Sequence, residues 1–255
     1  METLRWIGFG AFLVPSLVIG IRLLLLAKRT GQIPELLVGI AVLGIGPLGY
    51  GFSILAFLTA GRAAILSATL WGSGFLAVFI GAAALYLFVW YVFRRQQRWV
   101  RPVVLFTLAL LALSHMSNIL HNTLVNRTSG GPGFWVGMLL GMLALAWSSL
   151  ESLRYWVLMR RRLRFGLADP VVTNRFFLWG AGSGAAFLGM LLLAVIMIIS
   201  GIGAMKTPLV NMIVSVHGLA AAVAMWLVFQ PPAAYLRIIE SRSRRRTAPI
   251  ASRPC

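Results

Sequence analysis

Seven stretches of the chain are almost wholly apolar: Leu4–Ala27, Pro34–Leu58, Leu70–Phe93, Pro102–Asn122, Phe134–Leu158, Phe176–Ser200 and Pro208–Gln230. Each holds 21 to 25 residues, and the polar residues collect between them. As helices rising about 1.5 Å per residue they would cover roughly 30–38 Å, enough for a hydrocarbon core of about 30 Å with some tilt. A membrane-barrel strand needs only about 9–11 alternating residues. The pattern therefore predicts an all-α, polytopic bundle of seven transmembrane helices. The longest internal connection, Met159 to Arg175, is too short to fold alone. Residues 1–232 are expected to form one transmembrane domain and residues 233–255 a basic tail.

Composition agrees with this pattern. Of 255 residues 60% are hydrophobic and 11% charged, against about 25% charged in soluble domains. The net charge of +18 would point to nucleic acid in a soluble protein, but its placement gives another cause. Nineteen of the 23 Lys and Arg residues lie at the ends or loops following the first, third, fifth and seventh segments. Only Arg5, Arg62, Arg127 and Lys206 lie on the other side. Cytoplasmic loops carry the excess of Lys and Arg, so the amino-terminus is expected outside, the carboxy-terminus in the cytoplasm, and no nucleic-acid partner.

The tryptophans fit the same frame. Trp6, Trp71 and Trp135 fall at expected outer ends; Trp90, Trp99, Trp156 and Trp179 fall at inner ends, as in an aromatic belt. The first segment reads as a retained span because Lys28 and Arg29 follow it directly and no small-x-small cleavage site precedes the loop. Within the tail, Tyr235, Leu236, Ile238 and Ile239 can share one side of a short interfacial helix. Arg242, Arg244, Arg245 and Arg246 would then meet anionic headgroups at about 1 kcal/mol each. A cytoplasmic protein partner is the alternative reading of the tail. The single cysteine, Cys255, is too close to the end for a prenylation motif.

Small residues let helices approach closely in lipid. Gly133, Gly137 and Gly141 form one stripe on the fifth segment, and Gly180, Gly182 and Gly184 open the sixth. They predict seams inside the bundle, or for the first stripe a homodimer contact. The middle of the second segment reads Gly44-Ile45-Gly46-Pro47-Leu48-Gly49-Tyr50-Gly51. Proline removes a backbone hydrogen bond and glycine weakens a helix, so a break is expected at Gly46, Pro47 and Gly49. Such a break is either a packed kink or a wall of a substrate site.

Ionisable and polar groups at membrane depth are candidate functional positions. Arg22 and Glu151 are expected at similar depth and could pair, although Arg154 is also a helix neighbour of Glu151. His115 in the fourth segment and His217 in the seventh are expected at matched depth, roughly 10–15 Å from the outer surface. Asn118 and Asn122 follow His115 on one face, and Asn211 and Ser215 precede His217. Together these six side chains could line an outward-facing polar ligand pocket. The two histidines could instead hold a haem b iron, or each could only bond a neighbouring helix. No metal site is otherwise expected.

Catalytic constellations are missing. The seventh segment has no lysine for a retinal Schiff base. No His-Glu-x-x-His occurs, and Glu151 is the sole acid expected within the bilayer. Ser73 and Ser183 lack the Gly-x-Ser-Gly spacing of rhomboid proteases. Pro232-Ala233-Ala234-Tyr235 has the Pro-x-x-Tyr spacing of rhodopsin-like receptors, with Pro231 where they carry Asn. PQ-loop transporters share the helix count, but the chain has no Pro-Gln pair.

The stretches Ala27-Lys28-Arg29-Thr30-Gly31-Gln32-Ile33-Pro34-Glu35-Leu36-Leu37 and Gly166-Leu167-Ala168-Asp169-Pro170-Val171-Val172-Thr173-Asn174-Arg175-Phe176 resemble uncharacterised bacterial seven-helix integral membrane proteins. The resemblance implies a multi-pass protein of a bacterial inner membrane and carries no activity. In the second stretch Asp169-Pro170 is expected to end a turn, with Thr173 or Asn174 capping the next helix. The functional expectations are three: a receptor-like or sensory module with an outward polar pocket, a small-solute transporter using the broken second helix, and a haem or quinone redox protein.

Overall fold

The computed structural model describes residues 2–59, 61, 63–120, 131–200 and 208–247. Every regular element among them is helical: α1 (Glu2–Thr30), α2 (Ile33–Leu43), a π-helical stretch (Gly44–Tyr50), α3 (Gly51–Thr59), α4 (Ala64–Phe93), α5 (Val100–Leu120), α6 (Pro132–Arg164), α7 (Pro170–Ser200), α8 (Pro208–Phe229) and α9 (Ala233–Thr247). By length and composition, five described runs can cross a membrane: Ile33–Ala56, Ala64–Phe93, Val100–Leu120, Pro132–Arg164 and Pro170–Ser200. A sixth is reached if Val216–Phe229 and Ala233–Ile239 count as one, across an 80° bend. Of the seven spans that the apolar stretches predict, five or six are met among the described residues.

The helix ends follow local chemistry. α1 stops at Gly31, whose φ of +69° disfavours any side chain; its N–H donates to the Ala27 carbonyl at 2.8 Å. Thr30 Oγ1 then donates to Glu35 Oε2 at 2.7 Å, tying the end of α1 to the start of α2. α6 closes in a Schellman turn on Gly166 (φ +71°). There the Leu167 N–H reaches the Arg162 carbonyl and the Gly166 N–H the Leu163 carbonyl, both at 3.1 Å. α7 begins six residues before the expected Phe176. Its cap is Asp169, whose Oδ1 accepts from the Val171 and Val172 N–H groups at 2.6 and 3.2 Å. The cap expected of Thr173 or Asn174 is thereby corrected: Thr173 bonds back to the Asp169 carbonyl, and Asn174 Nδ2 donates to Tyr235 of α9 at 2.9 Å.

The packing is a ring. α1 lies against α2 and α8; the broken α2–α3 helix lies against α4; α4 lies against α6, α6 against α7, and α7 against α8. α5 packs on α4 and α6 from outside that ring. The interior mixes apolar side chains such as Ile19, Leu85, Val89 and Met197 with small polar ones. Ser16, Ser67, Ser148 and Ser152 are fully buried, whereas Ile65 is 85% and Leu120 71% exposed. Large apolar side chains also cover the outside, which is compatible with hydrocarbon around the bundle.

Serines and a tyrosine tie the helices through carbonyls. Ser67 donates to Ala56 at 2.7 Å, Tyr86 to Leu140 at 2.8 Å, Ser114 to Gly133 at 2.6 Å and Ser149 to Gly180 at 2.7 Å. The glycine stripes serve these seams. A Cβ on Gly133 would lie 2.7 Å from the Ser114 carbonyl oxygen, and one on Gly180 2.7 Å from Leu153 Cγ. Gly137 faces Ser114 and Gly184 faces Ser149, while Gly182 faces Ala224 of α8. Of the stripe considered for a homodimer, only Gly141 has open space beside it.

Candidate functional site

The break in the second segment is a full turn of π-helix rather than a simple kink. A proline inside an α-helix collides with the carbonyl four residues back and supplies no N–H. Widening the turn around Pro47 accommodates both effects, and π-bulges occur often at functional sites. The surrounding glycines make that wide turn packable. A Cβ on Gly44 would lie 2.6 Å from the Ala77 carbonyl oxygen and 2.9 Å from Gly81 Cα, so the π-turn and α4 meet backbone to backbone. On the other side, a Cβ on Gly46 would meet Ser16 Cβ at 2.9 Å. The turn is thus held between α1 and α4.

Inside the ring, the π-turn forms one wall of a cavity of about 360 Å³. Such a volume falls at the small end of ligand pockets, roughly 300–1,000 Å³. Its lining is dominated by aliphatic and aromatic side chains of α1, α2, α4, α6, α7 and α8, including Phe12, Val78, Leu145 and Met190. Tyr50, Ser53, Trp179, Ser183 and His217 are the lining residues that carry polar side-chain atoms. Trp179 is fixed from several sides: Nε1 donates to Ser148 Oγ at 2.9 Å, and its ring meets Phe88 and Phe229 edge-on at 5.9 and 5.8 Å. Ser53 Oγ donates to the Gly49 carbonyl at 2.8 Å. Phe12 and Tyr50 form a T-shaped pair at 6.2 Å, linking α1 to the π-turn.

The expected site residues are divided among different places. His217 lines the cavity together with Gly46 and Gly49. His115 does not; its ring stacks on Phe79 of α4 at 5.9 Å. Asn118 is buried at the α5–α6 seam, against Gly133. Asn122 and the side chains of Asn211 and Ser215 lie outside the described residues. The common pocket of His115, Asn118 and His217 is therefore not assembled among the described residues. His115 and His217 do not line this cavity together. No cluster of three or more metal-ligating side chains occurs among the described residues.

The buried acid takes a different partner from the one expected. Arg94 Nε and Nη2 both reach Glu151 Oε1, at 2.8 and 2.5 Å, joining the end of α4 to α6. Arg94 Nη1 also donates to Gln97 at 3.0 Å. Arg22 is exposed on α1 and Arg154 is exposed on α6, so the Arg22–Glu151 pair is corrected to Arg94–Glu151. Arg94 had been legible only as a loop charge. Trp179, expected at an inner helix end, lines the cavity. Its place beside Gly180 and Gly182 was the available signal, since glycines mark the inward face of α7.

The chain matches no protein family, no curated protein and no solved structure with which it was compared.

Proposed function

We propose that this is a seven-span, multi-pass protein of a bacterial inner membrane, amino-terminus outside and carboxy-terminus in the cytoplasm. In this reading it acts as a receptor-like module that binds one small lipophilic molecule inside the bundle. The observation that carries the reading is the 360 Å³ cavity, walled by apolar side chains and by the π-turn. Nineteen of 23 basic residues on one side support the orientation. The cavity, and not an outward polar pocket, is the place for the ligand.

A ligand against the π-turn, α7 and α8 biases any equilibrium in which those elements repack, by its difference in affinity for the two packings. α7 and α8 both lead to α9: α8 through the 80° bend, α7 through Asn174 and Tyr235. α9 carries the basic residues of the tail, and anionic headgroups or a cytoplasmic partner are its natural counterparts. The π-turn is also the observation that favours a transporter. The apolar walls weigh against it, because a small lipophile crosses bilayers unaided and gains little from a carrier.

Bromine quenches nearby tryptophan, so bromooctane added to the detergent-purified protein reads occupancy beside Trp179. The expected result is saturable quenching that octane competes away and that Trp179→Phe removes. Equal, non-saturable quenching in both proteins would overturn the proposal. For the transporter, flux of a polar solute into proteoliposomes above that of empty vesicles would move the reading there.

A further inference from the structure

We infer that the ligand of the cavity carries a hydroxyl donor, as in a small aliphatic alcohol or a phenol, and that His217 Nε2 accepts its hydrogen bond. The inference rests on the cavity being a binding site and adds the chemistry of its one directed contact. His217 Nδ1 lies 2.8 Å from the Ile213 carbonyl oxygen. A carbonyl oxygen only accepts, so Nδ1 carries the proton in that bond. In a neutral imidazole the other nitrogen is then an acceptor. Among the described residues nothing bonds Nε2, and His217 is part of the cavity lining.

The ring is held in this position by an absence of side chain opposite. A Cβ on Gly189 would stand 2.7 Å from His217 Cβ, 2.9 Å from Cγ and 3.3 Å from Cδ2. Gly189 therefore makes the room in which the imidazole sits against α7, and Gly189 also lines the cavity.

Three donors on the wall are committed elsewhere. Trp179 Nε1–H points to Ser148, the Ser53 hydroxyl to Gly49, and His217 Nδ1–H to Ile213. Ser183 can act in either sense. An acceptor left facing an apolar space is unfavourable until a donor reaches it. A purely hydrocarbon ligand leaves Nε2 unmet, a ketone or ether offers a second acceptor, and a hydroxyl supplies the missing proton.

Three probes of equal chain length separate these cases in the Trp179 quenching titration: bromooctane, bromooctanol and the methyl ether of bromooctanol, each scaled to its mole fraction in the micelle. A net hydrogen bond of about 1 kcal/mol corresponds to roughly fivefold in affinity. The alcohol is expected to bind about fivefold or more tightly than the alkane and the ether. In His217→Phe the difference between alcohol and alkane should vanish. An ether as tight as the alcohol, or an alcohol no tighter than the alkane, overturns the hydroxyl inference even where bromooctane itself quenches. The ether comparison uses the unaltered protein and stands if His217→Phe fails to fold. If none of the three probes quenches saturably, the binding reading beneath the inference falls with it.

Discussion

Replacing Glu151 by leucine tests what holds the α4 end to α6. The wild-type carboxylate is 8% exposed and takes two charge-assisted bonds from Arg94, whose side chain is 17% exposed. Removing one partner of a buried pair costs about 3–5 kcal/mol, mostly because the other charge is left uncompensated. Arg94 keeps its bond to Gln97 and some exposure, so the lower end applies, about 3 kcal/mol. The double variant Arg94→Met/Glu151→Leu removes both charges and fills similar volume. It should lie within about 1 kcal/mol of wild type, because apolar replacements of buried pairs are often neutral or stabilising. The assay is unfolding of the purified protein by sodium dodecyl sulfate, followed by tryptophan fluorescence, for both single variants and the double variant. The coupling energy should be about 2 kcal/mol or more. As a control, Arg22→Ala at its exposed position should change stability by less than about 0.5 kcal/mol. A Glu151→Leu loss below about 1 kcal/mol, or a double variant as unstable as the single, would refute the reasoning.

Three further outcomes are expected. Gly81→Val should destabilise by about 2 kcal/mol or more through overpacking, since even a Cβ there would lie 2.9 Å from Ile45 N and 3.1 Å from the Ala41 carbonyl oxygen; a lowered melting temperature in detergent checks it. Asp169→Ala should cost about 1 kcal/mol and speed hydrogen exchange of the Val171 and Val172 amides, whereas Asn174→Ala should instead speed exchange in α9. Cys255 is the chain's one cysteine, so an impermeant maleimide should label it only after cells are permeabilised. A cysteine placed by Arg127→Cys in a Cys255→Ser background should be labelled in intact cells; the reverse pattern would invert the orientation.

Much of the fold was legible because it is local. Among the described residues the apolar stretches are helical, but several helices run past the apolar bounds, to Gly31, Gly166 and Asp169. Pro47 among four glycines announced a break, although the π-turn that absorbs it depends on the backbone contact between Gly44 and Gly81. The candidate site was less legible. His217, Gly46 and Gly49 stand out in the sequence and do line the cavity, yet His115 belongs to a different seam, and nothing in the apolar pattern marks Tyr50, Ser53 or Trp179 as lining residues.

The sequence by itself determined the helical class, the approximate place of each helix and the place where the second segment breaks. These depend on composition and on neighbours a few residues apart. Only the tertiary structure decided that Glu151 meets Arg94, that Asn174 holds Tyr235 and that one histidine of two opens into the cavity. The physical reason is that a helix surrounded by lipid is apolar on its outer face as well as its inner one. No hydrophobic stripe then points inward; the inward face is marked by glycine and serine, and which helix answers each of them depends on how the ring closes.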